Sequence, residues 1–226
     1  MISFVLLLFV VVGIYKFRDG FLYYLGFKTD KNVENLSKEE RKLADIRIYE
    51  VLHKHDDKAI GFDVSEYQSE IDWEQTYHID ESFELSFVFI RATAGKNKVD
   101  SRFKENWKAS KERELIRGAY HYYRPNENSI EQAENFIKNV KLEKGDLPPV
   151  LDIEKLPKSQ SIDSLKVGLR RWLKKVEKHY KVKPIIYSGE SYYTDFLKEE
   201  FSDYPLWIAN YNFWRNHLED DWLFWQ

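Results

Sequence analysis

Two carboxylates one residue apart, Asp152 and Glu154, close the apolar run Pro148-Pro149-Val150-Leu151-Asp152-Ile153-Glu154. An apolar run this short reads as a buried strand, and residues i and i+2 of a strand share a face. The two acids are therefore expected side by side where the strand leaves a core. Neighbouring carboxylates repel, so one should hold its proton while the other stays ionised. A proton donor beside a fixed anion is what cleavage of a glycosidic bond requires. A third acid, Asp63, falls at the end of another short β-rich run, Ile60 to Val64.

Acids at strand ends act together only in a frame that gathers those ends. From Ile60 onward, short β-rich runs alternate with helical segments. Strands are expected at Ile60 to Val64, Phe87 to Thr93, Gly118 to Arg124, Pro149 to Glu154, Pro184 to Ser188, Pro205 to Tyr211 and Trp222 to Trp225. Helices are expected around Arg102 to Arg113, Ser129 to Val140, Ile162 to Tyr180 and Ser191 to Glu199. This alternation implies parallel strands with crossover helices. Asp63, Thr93, His121, Glu154, Tyr187 and Tyr211 fall at the C-terminal ends of their strands, the pattern of an α/β, (β/α) TIM-like barrel. A doubly wound sheet is the alternative, but the chain has no Gly-rich phosphate loop to support it.

The 226 residues allow one sizeable domain and an appendage. Aromatics make up 16%, more than a core needs, and the surplus can supply flat faces for sugar rings. A net charge of -3 from well-mixed basic and acidic residues excludes a nucleic-acid footprint. The absence of Cys excludes disulfides, thiolate zinc sites and a cysteine nucleophile. Ile2 to Tyr15 is uncharged and strongly apolar, and no small-x-small cleavage site follows it, so residues 1–27 are expected to form an uncleaved hydrophobic anchor. Lys16, Arg18 and Lys28 follow the apolar run, against the orientation that an outward-facing domain requires. Residues 28–58 are highly charged and lack Gly and Pro; with the capping pattern Ser37-Lys38-Glu39-Glu40 they read as a helical stalk. His53 and His55 at its end read as solvated linker residues, and no metal site is expected. Residues 59–226 then form the catalytic domain.

In order, the segments Gly61-Phe62-Asp63-Val64-Ser65-Glu66-Tyr67-Gln68, Phe87 to Gly95, Gly118-Ala119-Tyr120-His121, Leu151-Asp152-Ile153-Glu154, Tyr187-Ser188-Gly189, Trp207-Ile208-Ala209-Asn210-Tyr211 and Trp225-Gln226 resemble glycoside hydrolase family 25. These are the lysozymes, or N-acetylmuramidases. The resemblance implies an irregular, flattened β/α barrel acting on the β-1,4 bond between N-acetylmuramic acid and N-acetylglucosamine, without a cofactor. It implies that Glu154 protonates the leaving oxygen and later deprotonates water. Asp152 would stay ionised beside the 2-acetamido group, in substrate-assisted retention, and Asp63 would position that sugar or hold the charge balance. Tyr122, Tyr187, Trp207 and Tyr211 fall where family members line the sugar groove. His121 is counted with the substrate-binding set, as a support hydrogen-bonded inside the barrel.

Two departures from the family pattern stand out. Ala94 occupies a position where members often carry Glu. The sequence also stops at Gln226, before the last strand that members usually have, so an unpaired edge and an open core are expected. The competing reading is a non-catalytic peptidoglycan-binding module, or an inactive truncated homologue. The leading one is a monomeric muramidase held at the cell membrane by its anchor, with the catalytic domain outside the cytoplasm and peptidoglycan glycan strands as its partner.

Overall fold

Runs rich in β-branched and aromatic residues form the strands, and Pro or Gly marks most of their starts. A computed structural model describes residues 46, 48–76, 78–79, 83–210 and 221–226 of the chain. It divides into two compact units, Met1–His55 and Asp56–Gln226. Of the first unit, residues 48–54 are helical; the expected anchor and most of the stalk lie outside the described residues. Among the described residues, no helix is long and apolar enough to cross a membrane.

The second unit is built on one sheet. Its strands are β1 (Ile60–Val64), β2 (His78–Ile79), β3 (Phe83–Ala94), β4 (Lys98–Val99), β5 (Ile116–Tyr122), β6 (Val150–Asp152), β7 (Ile185–Gly189), β8 (Leu206–Ala209) and β9 (Trp222–Trp225). The main path runs β1-β3-β5-β6-β7-β8-β9, parallel at every step. The two-residue strands β2 and β4 pair antiparallel with β3. Parallel neighbours require crossovers. Helices α1 (Phe103–Glu112), α2 (Ser129–Asn139) and α3 (Ile162–Tyr180) lie in these connections, as does a last helical run: α4 (Glu190–Tyr192), a π turn (Tyr193–Leu197) and α5 (Lys198–Phe201).

The longest helix shows how the sequence sets its own limits. Ser161 caps α3 by accepting from the Ser164 N–H at 3.1 Å, and Asp163 sits in its first turn. Leu165, Leu169, Trp172, Leu173 and Val176 recur at helical spacing and are buried. Lys181, in the left-handed region at φ 60°, ends the helix.

Strand alternation splits the apolar residues into two cores. Val64, Val88, Ile90, Ala119, Leu151, Ile186, Leu206 and Ile208 face the helices. Phe89, Tyr120, Val150, Ile185, Tyr187, Trp207 and Ala209 face inward, together with the half-buried Phe87 and Phe224. The sheet curls far enough for Phe224 of β9 to meet Phe87 and Phe89 of β3, with ring centroids 5.2 and 5.1 Å apart. β1 and β9 remain the edges of the main path, so the sheet is a curled half-barrel rather than the closed barrel expected, and among the described residues these rings pack into the space between its edges. Two glycines make the room: a Cβ on Gly61 would lie 2.4 Å from the Phe87 ring, and one on Gly118 would lie 2.5 Å from Phe89.

Candidate active site

The inward-facing column of each strand ends in a polar or aromatic group. Asp63 is the next-to-last residue of β1, Arg91 stands near the end of β3, and Tyr120 and Tyr122 share one face of β5. Asp152 ends β6 with Glu154 two residues beyond it, and Tyr187 and Trp207 follow from β7 and β8. Together with Ser65, Tyr67 and Gln68 of the loop after β1, they line one pocket of ≈ 240 Å³ at the C-terminal ends of the strands. Asp152 and Glu154, expected side by side from their spacing, share this pocket with Asp63, expected from its place at a strand end.

The three acids differ in setting. Asp152 is flanked by paired strands on both sides, opposite Tyr122 of β5 and Tyr187 of β7. It is only 6% exposed, and its Oδ1 has no hydrogen-bond partner among the described residues. Burial, then the charges of Glu154 and Asp63, push its carboxyl well above the ordinary range, against a smaller opposing pull from Arg91. Asp63 is half-buried and also pushed up by burial, but the Gln226 side-chain amide donates to its Oδ1 at 2.9 Å and offsets part of that rise. Glu154 lies past the last paired residue of β6 and is exposed. The sequence reading gave the proton to Glu154 and the fixed charge to Asp152. Burial falls the other way, because the strand ladder ends at Asp152 and leaves Glu154 at the rim.

Behind the pocket, Arg91 is locked in place. Its Nε donates to Asp100 Oδ2 at 2.8 Å, and its guanidinium pairs with Glu66 at 3.1 Å. Glu66 accepts from the Ser101 backbone N–H and hydroxyl and pairs with Lys98; chiefly through that N–H, its carboxyl is held down at about 2.

The proposed sugar-groove residues divide. Tyr122, half-buried, lines the pocket with Lys155 Nζ 5.6 Å from its ring centre. Tyr187 and Trp207 line it too, but as packed floor. They are 8% and 7% exposed; Trp207 stacks on Phe89 at 4.4 Å and Tyr187 meets Trp207 edge-on at 4.6 Å. Tyr211 lies outside the described residues. His121 does not line the pocket. It alternates with Tyr120 and Tyr122 and so points to the opposite face of the sheet, buried against Trp172 of α3 and Phe136 of α2. Gln132 Oε1 also accepts from the Arg124 N–H, so it receives the His121 Nε2–H at 3.2 Å, and Thr93 donates to Nδ1 at 2.7 Å. Burial pushes the His121 pKa down to about 3, which keeps the ring neutral.

Sequence reasoning missed Arg91, Tyr120, Tyr67, Gln68 and Gln226 as site residues. Tyr120 was legible from its two-residue spacing to Tyr122. Arg91 lies on β3, two residues from Phe89 on the inward face, while Tyr67, Gln68 and Gln226 required knowing which segments fold over the strand ends. Among the described residues, no group of three or more His, Asp or Glu is arranged to hold a metal ion.

The family model described as "Glycosyl hydrolases family 25" matches residues 62–226, which include every pocket-lining residue. The chain belongs to this family. It is 42% identical over 170 residues to the uncharacterized protein YegX of Escherichia coli K12, covering 74% of this chain and 61% of that one. It is 32% identical over 181 residues to Lysozyme M1 of Streptomyces globisporus, covering 74% and 60%. Among solved structures, a family 25 glycosyl hydrolase from Bacillus anthracis superimposes with a TM-score of 0.66 at 32% identity, covering 75% of this chain and 78% of that one. The family 25 chain thus spans about three fifths of the length of the curated relatives it matches.

Proposed function

We propose that this family 25 chain is a lysozyme that hydrolyses the β-1,4 bond between N-acetylmuramic acid and N-acetylglucosamine in peptidoglycan. One observation carries the reading: three carboxylates, Asp63, Asp152 and Glu154, line a single pocket at the strand ends of a family 25 sheet. Arg91, a cation beside them, is already engaged by Asp100 and Glu66.

The chemistry follows from their settings. Burial and the neighbouring charges of Glu154 and Asp63 favour the protonated form of Asp152. A sugar whose acetamido N–H donates to the unpartnered Asp152 oxygen favours the carboxylate there, and the proton passes to Glu154. Glu154, at the rim where a glycosidic oxygen can reach it, gives that proton to the leaving oxygen as the C1–O bond breaks. The acetamido carbonyl oxygen bonds to C1, and the Asp152 carboxylate balances the positive charge spread over the resulting ring. Glu154, now ionised, takes a proton from water as the water oxygen bonds to C1 and expels the acetamido oxygen. Two displacements at C1 leave its configuration retained. Asp63, held by Gln226, keeps the acetamido sugar oriented.

The apolar stretch Ile2 to Tyr15 supports a further element of the proposal: a single N-terminal anchor holds a monomeric enzyme at the outer side of the cytoplasmic membrane, near its polymer. Incubating the protein with purified peptidoglycan and analysing the muropeptides tests the activity. New reducing ends on N-acetylmuramic acid, abolished by Glu154→Gln, are expected. Reducing N-acetylglucosamine would replace the substrate bond, and no new ends from folded protein that still sediments with the wall would favour a binding module.

A further inference from the structure

The pocket holds less than its substrate. At ≈ 240 Å³ it falls below the ~300–1,000 Å³ of sites that enclose a whole drug-sized ligand. A glycan strand must therefore leave the pocket and run over its rim, and among the described residues that line it one aromatic has an open face. Tyr67 is 79% exposed, whereas Tyr187 and Trp207 are buried in the floor. Tyr122, the remaining half-open ring that lines the pocket, is approached by Lys155.

Tyr67 is exposed without being loose. It sits in a three-residue 3₁₀ turn, Glu66–Gln68, closed by a capping box. The Tyr67 N–H donates to Ser65 Oγ at 3.3 Å, and the Ser65 N–H donates to Gln68 Oε1 at 2.8 Å. The turn is tied to the loop after β4, where the Glu66 N–H donates to Asp100 Oδ2 at 2.9 Å. Beneath the ring, the Arg91 guanidinium lies 4.4 Å from its centre, itself fixed by Asp100 and Glu66. One face of the ring thus rests on a cation that cannot move away, and the other is left to solvent. A rigid ring held in place costs little entropy when a ligand covers it.

Resting on the lysozyme reading, we propose that Tyr67 is a stacking platform for a sugar of the glycan strand beyond the pair whose bond is cut. It selects long strands over short ones by binding, without touching the reacting atoms. Hexosamine rings present C–H faces that match a flat aromatic surface, and the extra contact is made equally in ground and transition states.

Steady-state kinetics of the full chain, Tyr67→Ala and Tyr67→Phe on polymeric peptidoglycan and on a muropeptide tetrasaccharide test this. Tyr67→Ala is expected to raise KM on the polymer roughly three- to tenfold and to leave the loss out of kcat. The tetrasaccharide should be affected less, and Tyr67→Phe, which keeps the ring, should restore polymer binding. Unchanged polymer KM in Tyr67→Ala overturns the platform, and so does a loss confined to kcat, which would put Tyr67 at the reacting sugar. Sedimentation with insoluble peptidoglycan, measured on a Glu154→Gln background, reads the same contact without turnover. A wild-type chain that binds the wall through Tyr67 but cuts nothing would sink the lysozyme reading and keep the platform. Binding indifferent to Tyr67 would sink the platform alone.

Discussion

Glu66 and Asp100 have both carboxylate oxygens engaged, by Arg91, Lys98, Ser101 and the backbone N–H groups of Glu66 and Arg102. Asp152, at the same end of the sheet and within the electrostatic reach of the same Arg91, has an oxygen with no partner among the described residues. Surroundings pull Glu66 down and push Asp152 up, although both are carboxylates at strand ends. The difference separates two uses of negative charge. The paired acids fasten the loops after β1 and β4 around Arg91, so their charge is consumed in architecture. Asp152 instead keeps an oxygen for a ligand, and the fold carries the cost of burying it beside two other acids.

Four substitutions probe that division. Glu154→Gln should lower turnover on peptidoglycan roughly 10²–10⁴-fold, as loss of a general acid does, with the thermal midpoint unchanged because the side chain is at the rim. An active Glu154→Gln protein would remove Glu154 from the reactive group. Asp100→Ala should cost about 3–5 kcal/mol in denaturant unfolding, since it leaves a buried guanidinium without its closest partner. If stability hardly changes, the paired group is not structural and the contrast fails.

Asp152→Asn should abolish activity yet raise stability at neutral pH, read as a higher midpoint in denaturant unfolding. The sign follows from its raised carboxyl. The folded chain binds the proton more tightly than the unfolded one, so stability falls as pH rises from the unfolded value of 3.8 through the folded value. The advantage of Asn should therefore vanish when unfolding is repeated below that range. The smallest effect belongs to Gln226→Ala. Removing the donor to Asp63 should move the acidic limb of the activity profile upward by less than about one pH unit, without a comparable loss at the optimum.

Much of this was legible from pattern. All seven parallel strands overlap runs expected from composition, and the helix expected around Ile162 to Tyr180 is α3. The strands β2 and β4 were not anticipated, because two residues carry no periodicity; β2 also draws the start of β3 back to Phe83. The grouping of Asp63, Asp152 and Glu154 followed from strand-end positions, but which acid is buried did not. That depends on where the ladder stops, a property of Tyr122 and Tyr187 on neighbouring strands. His121, expected as a support hydrogen-bonded inside the barrel, is hydrogen-bonded to Thr93 and Gln132 but on the helix side of the sheet, as alternation with Tyr120 and Tyr122 requires.

The bond between Gln226 and Asp63 joins residues 163 positions apart. Its two ends lie at the first and last strands of the main path, so Asp63 gains this partner only when β9 has docked within reach of β1. Contacts of such separation are slow to form. The setting of one pocket acid therefore reports on the docking of a distant strand: loosening β9 should be felt at Asp63 before any residue beside it has changed.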